Sequence, residues 1–350
     1  MKVAPLIAAL DAAGRRRVLV HTGQHYDEQM SKTFFEELGL PQPDHHLGVG
    51  SASHAVQTAR VMEAFEQVLL SVRPGWVVVV GDVNSTLACA LVTSKLREEI
   101  DCRIAHVEAG LRSHDWGMPE EVNRVLTDRL SDLLLTPSRD AEPNLLAEGL
   151  DPKRIVFVGN VMIDTLFMHL PRAQERALWR EMGVERKGYV LSTLHRPSNV
   201  DSRDNLAAIL GGLTRIADDM PVILPLHPRT RKMVNQFGLG DLLRQLKVRE
   251  PLGYVDMLSL SDGAAVVLTD SGGLQEETTA LQVPCVTLRE QTERPITISE
   301  GTNAMAPWPP TAAGIHQAYL DARAPAKVRR ATRPEGWDGC AAARIVEALT

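Results

Sequence analysis

Apolar runs of strand length recur along the chain, separated by longer stretches with helical periodicity. Runs that are apolar at every position are typical of parallel strands covered on both faces. Strands that alternate with helices predict βαβ units and a doubly wound parallel sheet. The predicted strands are Arg17–Thr22, Trp76–Val80, Arg103–Val107, Leu133–Thr136, Arg154–Val158, Tyr189–Thr193, Val222–Leu226, Ala265–Thr269 and Pro284–Leu288.

The strand count predicts an α/β fold of two doubly wound domains, with the seam near residues 159–170. Two such domains would face a central cleft at the carboxyl ends of their strands, where ligands of this fold class bind. The first predicted element is a helix rather than a strand, because Val3, Leu6, Ile7 and Leu10 form an apolar stripe with helical spacing.

The composition is typical of a globular protein and does not suggest a nucleic-acid partner. Of the 350 residues, 44% are apolar, and the net charge of -6 argues against a general nucleic-acid binder. No run is long enough to cross a membrane, and no signal-peptide pattern is present, so we expect a cytoplasmic protein. The four cysteines are scattered without metal-ligand spacing. No GxGxxG follows a strand, so we expect no nicotinamide cofactor.

The segment Thr269–Glu277 carries the strongest candidate for a phosphate site. A strand ends there, Gly272 and Gly273 follow, and a helix begins. Glycines allow close approach of a ligand, and the free N–H groups of a helix N-terminus favour phosphate. Ser271 adds a hydroxyl, and Glu277 can accept hydrogen bonds from a ribose. The alternative is an ordinary strand–turn–helix connection with Ser271 as N-cap.

Several carboxylates of the first half follow predicted strands or begin helices. Glu108 lies just past a strand among apolar residues, where a carboxylate is costly unless paired. Asp82 follows another strand, with N-capping as the alternative. Glu120 and Glu121 follow Pro119 and suit a first helical turn, where they could simply complement the helix dipole.

Cationic residues follow two strands of the second half. His195 with Arg196, and His227 with Arg229, are candidate phosphate ligands. The alternatives are a structural histidine for the first pair and a solvated loop for the second. Acids in the first half and phosphate donors in the second predict a nucleotide held by the second domain. The sugar would then face the acids of the first domain.

Seven motifs in a fixed order resemble those of the non-hydrolysing UDP-N-acetylglucosamine 2-epimerases over nearly the whole chain. The resemblance implies two Rossmann-like domains of the GT-B type. Residues 1–165 with a C-terminal helix at 337–350 would form the first, and residues 166–336 the UDP-binding second. It also implies a homodimer without metal or cofactor. The motifs are Gly23–Tyr26, Gly81-Asp82, His106–Arg112, Pro119–Arg124, Gly159-Asn160, Asp270–Glu277 and Thr292–Pro295.

The resemblance implies interconversion of UDP-GlcNAc and UDP-ManNAc through elimination of UDP to a 2-acetamidoglucal and its re-addition. Asp82, Glu108 and Glu120 would be the acid/base residues. His195 would stabilise the departing diphosphate. The substrate-binding candidates are Lys2, Arg112, His227, Arg229, Ser271, Gly272, Gly273, Glu277 and Arg294.

The sequence departs from the family pattern in two places. The family begins with a strand and a Gly-Thr-Arg-Pro-Glu motif before the helix that matches Lys2–Pro5, and this sequence shows neither. We expect a product without them to be poorly stable and to have little activity. The segment Gln24–Met30 also differs from the family's activator-binding sequence. Activation by a second substrate molecule is therefore not expected, although Arg60 is a candidate activator contact.

Four alternatives to this function remain open from the sequence. A hydrolysing relative would release ManNAc and UDP from the same glycal. A 2-epimerase of a UDP-diacetamido uronic acid is a second alternative, against which Gln24-His-Tyr26 argues weakly. A GT-B glycosyltransferase is a third, disfavoured by Glu108 and Glu120. The fourth is an inactive UDP-sugar-binding protein.

Overall fold

A computed structural model describes residues 1–24, 37–324 and 332–350. The chain divides into two compact units. Unit 1 comprises Met1–Thr165 and Glu335–Thr350, and unit 2 comprises Leu166–Pro334. Both are built on parallel sheets with helices between the strands, so the predicted α/β class is confirmed.

Unit 1 contains a two-stranded and a four-stranded sheet, both parallel. The small sheet pairs β1 (Val20–His21) with β2 (His45–His46). In the larger sheet the strands are adjacent in chain order. They are β3 (Trp76–Val80), β4 (Arg103–Val107), β5 (Leu133–Thr136) and β6 (Ile155–Phe157).

The helices of unit 1 cover both faces of the larger sheet. Val77 and Val79 of β3 pack in one cluster with Phe65, whereas Val78 packs in another with Leu6. This alternation explains why the strand is apolar at every position. The helices are α1 (Val3–Ala12), α2 (His54–Val72), α3 (Asn84–Ile100), α4 (Pro119–Leu130), α5 (Glu142–Ala147) and α6 (Val161–Arg176), the last continuing into unit 2.

The strands of unit 2 are β7 (Val190–Thr193), β8 (Val222–Pro225), β9 (Lys247–Arg249), β10 (Val266–Thr269), β11 (Cys285–Thr287) and β12 (Asn303–Met305). They form a six-stranded parallel sheet in the order β12-β11-β10-β7-β8-β9. Its strands are also buried on both faces, since Val190 and Leu191, consecutive in β7, pack in different clusters.

The helices of unit 2 connect these strands, and one more helix follows in unit 1. In unit 2 they are α7 (Pro197–Val200), α8 (Arg203–Ala217), α9 (Pro228–Phe237), α10 (Tyr254–Gly263), α11 (Gly272–Leu281), α12 (Ile296–Ser299) and α13 (Ala312–Ala322). The last, α14 (Ala341–Ala348), packs with α1, where Ile345 and Leu6 share one cluster. Within the described ranges, no helix is long and apolar enough to cross a membrane.

The predicted strand Arg17–Thr22 differs most from the structure. Only Val20 and His21 form a strand. The backbone N–H of Leu19 donates to the Asp44 side chain at 2.7 Å, and Arg17 donates to Asp11. Side-chain carboxylates therefore accept the hydrogen bonds of Leu19 N–H and Arg17, and the pairing of β1 with β2 begins only at Val20. The helix predicted at the start of the chain is confirmed as α1.

Candidate functional site

In unit 1, two candidate carboxylates follow neighbouring strands. Asp82 comes two residues after β3, and Glu108 comes directly after β4. Because β3 and β4 are paired in parallel, with Val80 opposite Val107, both carboxylates leave the same edge of the sheet. Lys2 also reaches this edge and pairs with Glu108.

Glu108 is strained and almost fully buried. Its φ is 73°, in the left-handed region that residues with a side chain rarely occupy. Its side chain is 3% exposed; one carboxylate oxygen, Oε2, pairs with Lys2. The other oxygen, Oε1, is buried and has no hydrogen-bond partner among the described residues. A buried, unsatisfied acceptor is costly, and it is the kind of feature that functional sites retain.

Asp82 is not an N-cap, so that alternative is wrong. The N-cap of α3 is Val83, without a side-chain bond, and Asp82 instead accepts from Arg124 Nη2 at 2.5 Å. Arg124 also donates to Glu121 at 2.7 Å. The two carboxylates thus share one buried guanidinium.

The neighbouring glutamates of α4 have different environments. Glu121 is buried and accepts from the backbone N–H groups of Ser113 and His114 at 2.9 and 2.8 Å. Burial by itself would raise the pKa of Glu121, but these donors and Arg124 outweigh it and hold the pKa below its usual range. Glu120 is partly exposed in the first turn and forms no side-chain hydrogen bond or ion pair with a described residue. Glu120 is therefore the one accessible to a ligand.

Arg112 is held inside unit 1. Its side chain is 1% exposed and pairs with Asp128 at 2.8 Å and with Glu148 at 2.7 Å. Both donating faces of the guanidinium are committed to protein carboxylates. This geometry supports a structural role and gives no support to Arg112 as a substrate contact, so Arg112 is not part of the proposed site.

In unit 2, a buried aspartate organises the carboxyl ends of two adjacent strands. Asp270 follows β10 and accepts from His195 Nδ1 at 2.9 Å and from the backbone N–H of Arg196 at 2.9 Å. Asn199 donates to it at 3.0 Å. Burial by itself would raise the pKa of Asp270, but the bonds from His195 and the other donors keep the pKa below its usual range. His195, 38% exposed at its side chain, is thereby oriented by a carboxylate.

The segment predicted to bind phosphate forms the N-terminus of α11. Ser271 is the N-cap, and its hydroxyl accepts from the backbone N–H of Leu274 at 3.4 Å, as the structural alternative required. Capping does not exclude ligand binding, because the first N–H groups of a helix, including those of Gly272 and Gly273, lack intrahelical acceptors. Arg196 Nε is buried without a hydrogen-bond partner among the described residues.

Glu277 lies in α11 beside another carboxylate. It is 4% exposed. Burial raises the pKa of Glu277 to about 7, the hydrogen bond with Tyr254 partly offsets this, and Glu276 adds to the rise. Arg294 pairs with Glu276 at 2.7 Å. Glu277 and Arg294 are thus both placed at the helix that Ser271 caps.

His227 and Arg229 begin α9 after β8. His227 is the N-cap and accepts from the backbone N–H of Arg229 at 3.2 Å. Its ring centroid lies 5.8 Å from that of His195. Burial, followed by the proximity of His195, lowers the pKa of His227. Arg229 is exposed and pairs with Asp201, at 3.0 Å from Nε to Oδ1.

Sequence reasoning missed Asp128, and it gave no orienting role to Arg124 and Asp270, although both lie in the family motifs. Each of the three binds a partner more than 15 residues away in the chain, which no local pattern reveals. His25 and Tyr26, and most of the Gln24–Met30 segment considered for activation, lie outside the described residues. Gln24 accepts from the Ser85 hydroxyl at 2.7 Å.

The family model described as UDP-N-acetylglucosamine 2-epimerase matches residues 8–350 of the chain. The chain belongs to the UDP-N-acetylglucosamine 2-epimerase family. A UDP-N-acetylglucosamine 2-epimerase of Methanocaldococcus jannaschii is 44% identical over 314 residues, 87% of this chain and 84% of the relative. A UDP-2,3-diacetamido-2,3-dideoxy-D-glucuronate 2-epimerase of Pseudomonas aeruginosa is 44% identical over 292 residues, 82% and 79% of the two chains.

A solved structure of this epimerase family resembles the chain over nearly its full length. It is the M. jannaschii UDP-GlcNAc 2-epimerase in complex with UDP-GlcNAc and UDP. Its TM-score is 0.87 at 42% identity, and the match covers 99% of this chain and 95% of that one. The resemblance drawn from the motifs and the GT-B type of the two Rossmann-like domains are therefore confirmed. The roles of the individual site residues stay predictions.

Proposed function

We propose that this family member interconverts UDP-GlcNAc and UDP-ManNAc. The C1–O bond breaks with its electron pair leaving on UDP, a base takes the C2 proton, and a C1=C2 double bond forms. The resulting 2-acetamidoglucal then receives a proton at the opposite face of C2, and a UDP oxygen re-forms the bond to C1. Atoms and electrons balance without an oxidant or a cofactor. The activity for which the M. jannaschii relative is named supports this assignment.

The proposal rests on Oε1 of Glu108, which is buried and has no hydrogen-bond partner in the part of the chain that the structure describes. A carboxylate whose second oxygen is paired with Lys2 presents Oε1 as a lone acceptor at the sheet edge. Positioned carboxylates transfer protons with large rate gains. Epimerisation needs groups on both faces of C2. Asp82, which leaves the same edge, and Glu120, which is accessible, supply the further acid/base candidates.

Unit 2 supplies donors for a diphosphate. His195 is oriented by Asp270, the helix N-terminus at Gly272 offers N–H groups, and Arg196 adds a guanidinium. Fixed donors are most effective where charge develops, and here charge grows on the departing UDP. Glu277 is the candidate acceptor for ribose hydroxyls, and Ser271, Gly273, His227, Arg229 and Arg294 are the remaining candidates for nucleotide binding.

Turnover of UDP-GlcNAc in deuterated water tests this proposal. Proton NMR should show UDP-ManNAc forming and deuterium entering C2 of both nucleotide sugars. Glu108→Gln should slow deuterium entry by about 10²-fold or more, because the amide cannot take the proton. Glu99→Gln, which alters an exposed carboxylate of the same unit, should match the wild type. Free ManNAc with UDP would instead identify a hydrolase, and no conversion at all would refute the proposal.

The Pseudomonas relative favours a second candidate substrate. Its identity to this chain equals that of the M. jannaschii relative, at 44%, and it is named for a UDP-diacetamido glucuronate. The same chemistry at C2 would apply. Offering both nucleotide sugars at equal concentration measures the ratio of kcat/KM directly. We expect the higher kcat/KM for UDP-GlcNAc. A higher kcat/KM for the UDP-diacetamido glucuronate would make that sugar the proposed substrate instead.

A further inference from the structure

His106 and Asp128 form a buried pair of side chains in unit 1 that has no role in the proposed reaction. His106 lies in β4, two residues before Glu108, and Asp128 lies in α4. Both side chains are 0% exposed. The Nδ1 atom of His106 is 2.6 Å from Asp128 Oδ1, and Nε2 is 2.8 Å from the carbonyl oxygen of Gly81. A carbonyl oxygen only accepts, so Nε2 donates to Gly81 O, and one proton is shared between Nδ1 and Asp128.

The carbonyl that His106 holds belongs to the peptide that leads into Asp82. Gly81 has a φ of 74°, and its N–H donates to Val107 O at 3.0 Å. A Cβ atom on Gly81 would lie 3.1 Å from Lys2 Nζ and 3.3 Å from Glu108 Oε2. The peptide after β3 therefore runs directly beside the paired Glu108 carboxylate, and its orientation sets where Asp82 starts.

Asp128 also holds the other side of the site. Its Oδ2 accepts from the backbone N–H of Gly110 at 3.1 Å and from Arg112 at 2.8 Å. Gly110 is two residues after Glu108, whose left-handed backbone costs free energy unless its surroundings enforce it. Asp128 thus fixes the backbone after Glu108 directly, through Gly110. It fixes the backbone before Asp82 indirectly, through the His106 imidazole and the Gly81 carbonyl.

We propose that His106, held by Asp128, is a positioning residue that sets the separation of Asp82 and Glu108 through the Gly81 carbonyl. This rests on the proposed function. A misplacement of about 1 Å in a catalytic group can cost about 10²-fold in rate. Because the pair lies wholly within unit 1 and the residues proposed for nucleotide binding lie in unit 2, its loss should lower kcat and leave UDP binding unchanged.

Two amide variants separate the contacts of the ring. In His106→Gln the amide N–H₂ takes the place of Nε2 and can donate to Gly81 O. In His106→Asn it takes the place of Nδ1 and can reach only Asp128. We expect H106Q to keep kcat within about fivefold of wild type, and H106N to lose about 10²-fold. In both, KM and the Kd of UDP by calorimetry should stay within about twofold.

A matched control separates positioning from stability. Asp164 is a buried carboxylate of unit 1 that accepts from the backbone N–H groups of Ala341 and Ala342. Asp164→Asn should lower Tm and keep kcat. The proposal is overturned if H106N keeps wild-type kcat, if H106Q and H106N lose kcat equally, or if D164N loses kcat in proportion to Tm as H106N does. A wild-type enzyme that exchanges no deuterium would instead refute the proposed function.

A measurement on the unaltered protein covers the case in which H106N does not fold. With ¹⁵N-labelled histidine, His106 should show a slowly exchanging ring N–H proton at Nε2, the nitrogen that faces the Gly81 carbonyl. An Nε2 without a protected proton would mean that the Gly81 carbonyl is not held, and the inference would fail.

Discussion

Two buried carboxylates of unit 2 show how local donors decide ionisation. Asp270 and Glu277 are both shielded from solvent, and burial disfavours the charge of each. Asp270 accepts several N–H groups and His195, so its pKa falls. Burial raises the pKa of Glu277 to about 7, because the hydrogen bond with Tyr254 offsets burial only in part and the charge of Glu276 adds to the rise. The number of donors, rather than the degree of burial, therefore separates the two.

The raised pKa of Glu277 predicts a pH dependence of stability. Between about pH 4.5 and pH 7 the native state keeps a proton that the unfolded state releases. Stability from this group is therefore largest below pH 4.5 and is lost as pH rises to about 7. The loss is on the order of 3 kcal/mol. In Glu277→Gln, the urea-derived free energy of unfolding should change less across this window than in wild type.

A control defines what would contradict this. Glu185 is exposed in the same unit, and Glu185→Gln should leave the pH profile unchanged. If E277Q retained the full wild-type slope between pH 4.5 and pH 7, Glu277 would not be the titrating group.

At the scale of elements, the connection after β6 depends on a close approach of two backbone segments. Gly159 has a φ of 89°, and a Cβ there would lie 2.1 Å from the carbonyl oxygen of Gly336. Gly336 lies in the segment that leads to α14. Only a residue without a side chain allows the two segments to meet, so these glycines fix how the C-terminal segment joins unit 1.

Gly159→Ala should therefore lower the free energy of unfolding by more than the strain of a left-handed backbone alone. Gly149 has a similar φ of 76°, but a Cβ there would have no atom of the described residues within 4 Å. Gly149→Ala should therefore cost only the strain of a left-handed backbone, about 1–2 kcal/mol. We expect G159A to cost about 1–3 kcal/mol more, because the clash is with backbone. Urea unfolding followed by circular dichroism measures both. Equal losses would show that the approach to Gly336 is not retained in solution.

At the scale of the whole molecule, residues distant in the chain complete unit 1. Trp337 is 1% exposed, and its Nε1 donates to the carbonyl oxygen of Pro137 at 3.1 Å. Asp164 receives the first N–H groups of α14. The last 16 residues therefore belong to the core of unit 1, although all of unit 2 separates them from it in sequence.

Trp337→Ala should weaken unit 1 selectively. Removal of a buried tryptophan side chain costs about 3–5 kcal/mol. Hydrogen exchange measured by mass spectrometry should speed up in peptides from 1–165 and change little in 166–334. Trp116→Ala is the matched control, because Trp116 is 65% exposed in unit 1. A uniform increase over both units would contradict selective weakening.

The sequence indicated most strands, the family and the candidate residues of each unit, but it did not predict the short strands β2, β9 and β12. Strands such as Trp76–Val80 lie where the apolar runs predicted them, because burial on both faces of a parallel sheet leaves a continuous apolar signal. The order of the seven motifs was enough to identify the family, because motifs that are weak one by one are specific as an ordered set.

Only the tertiary structure showed which partner each polar residue binds. Local rules allowed Asp82 to cap a helix, yet Arg124, 42 residues away, binds it instead. Arg112 resembled a ligand contact in sequence, but Asp128 and Glu148 enclose it. Hydrogen bonds and ion pairs act over about 3 Å in space and at any distance in sequence, so their partners become known only when the chain has folded.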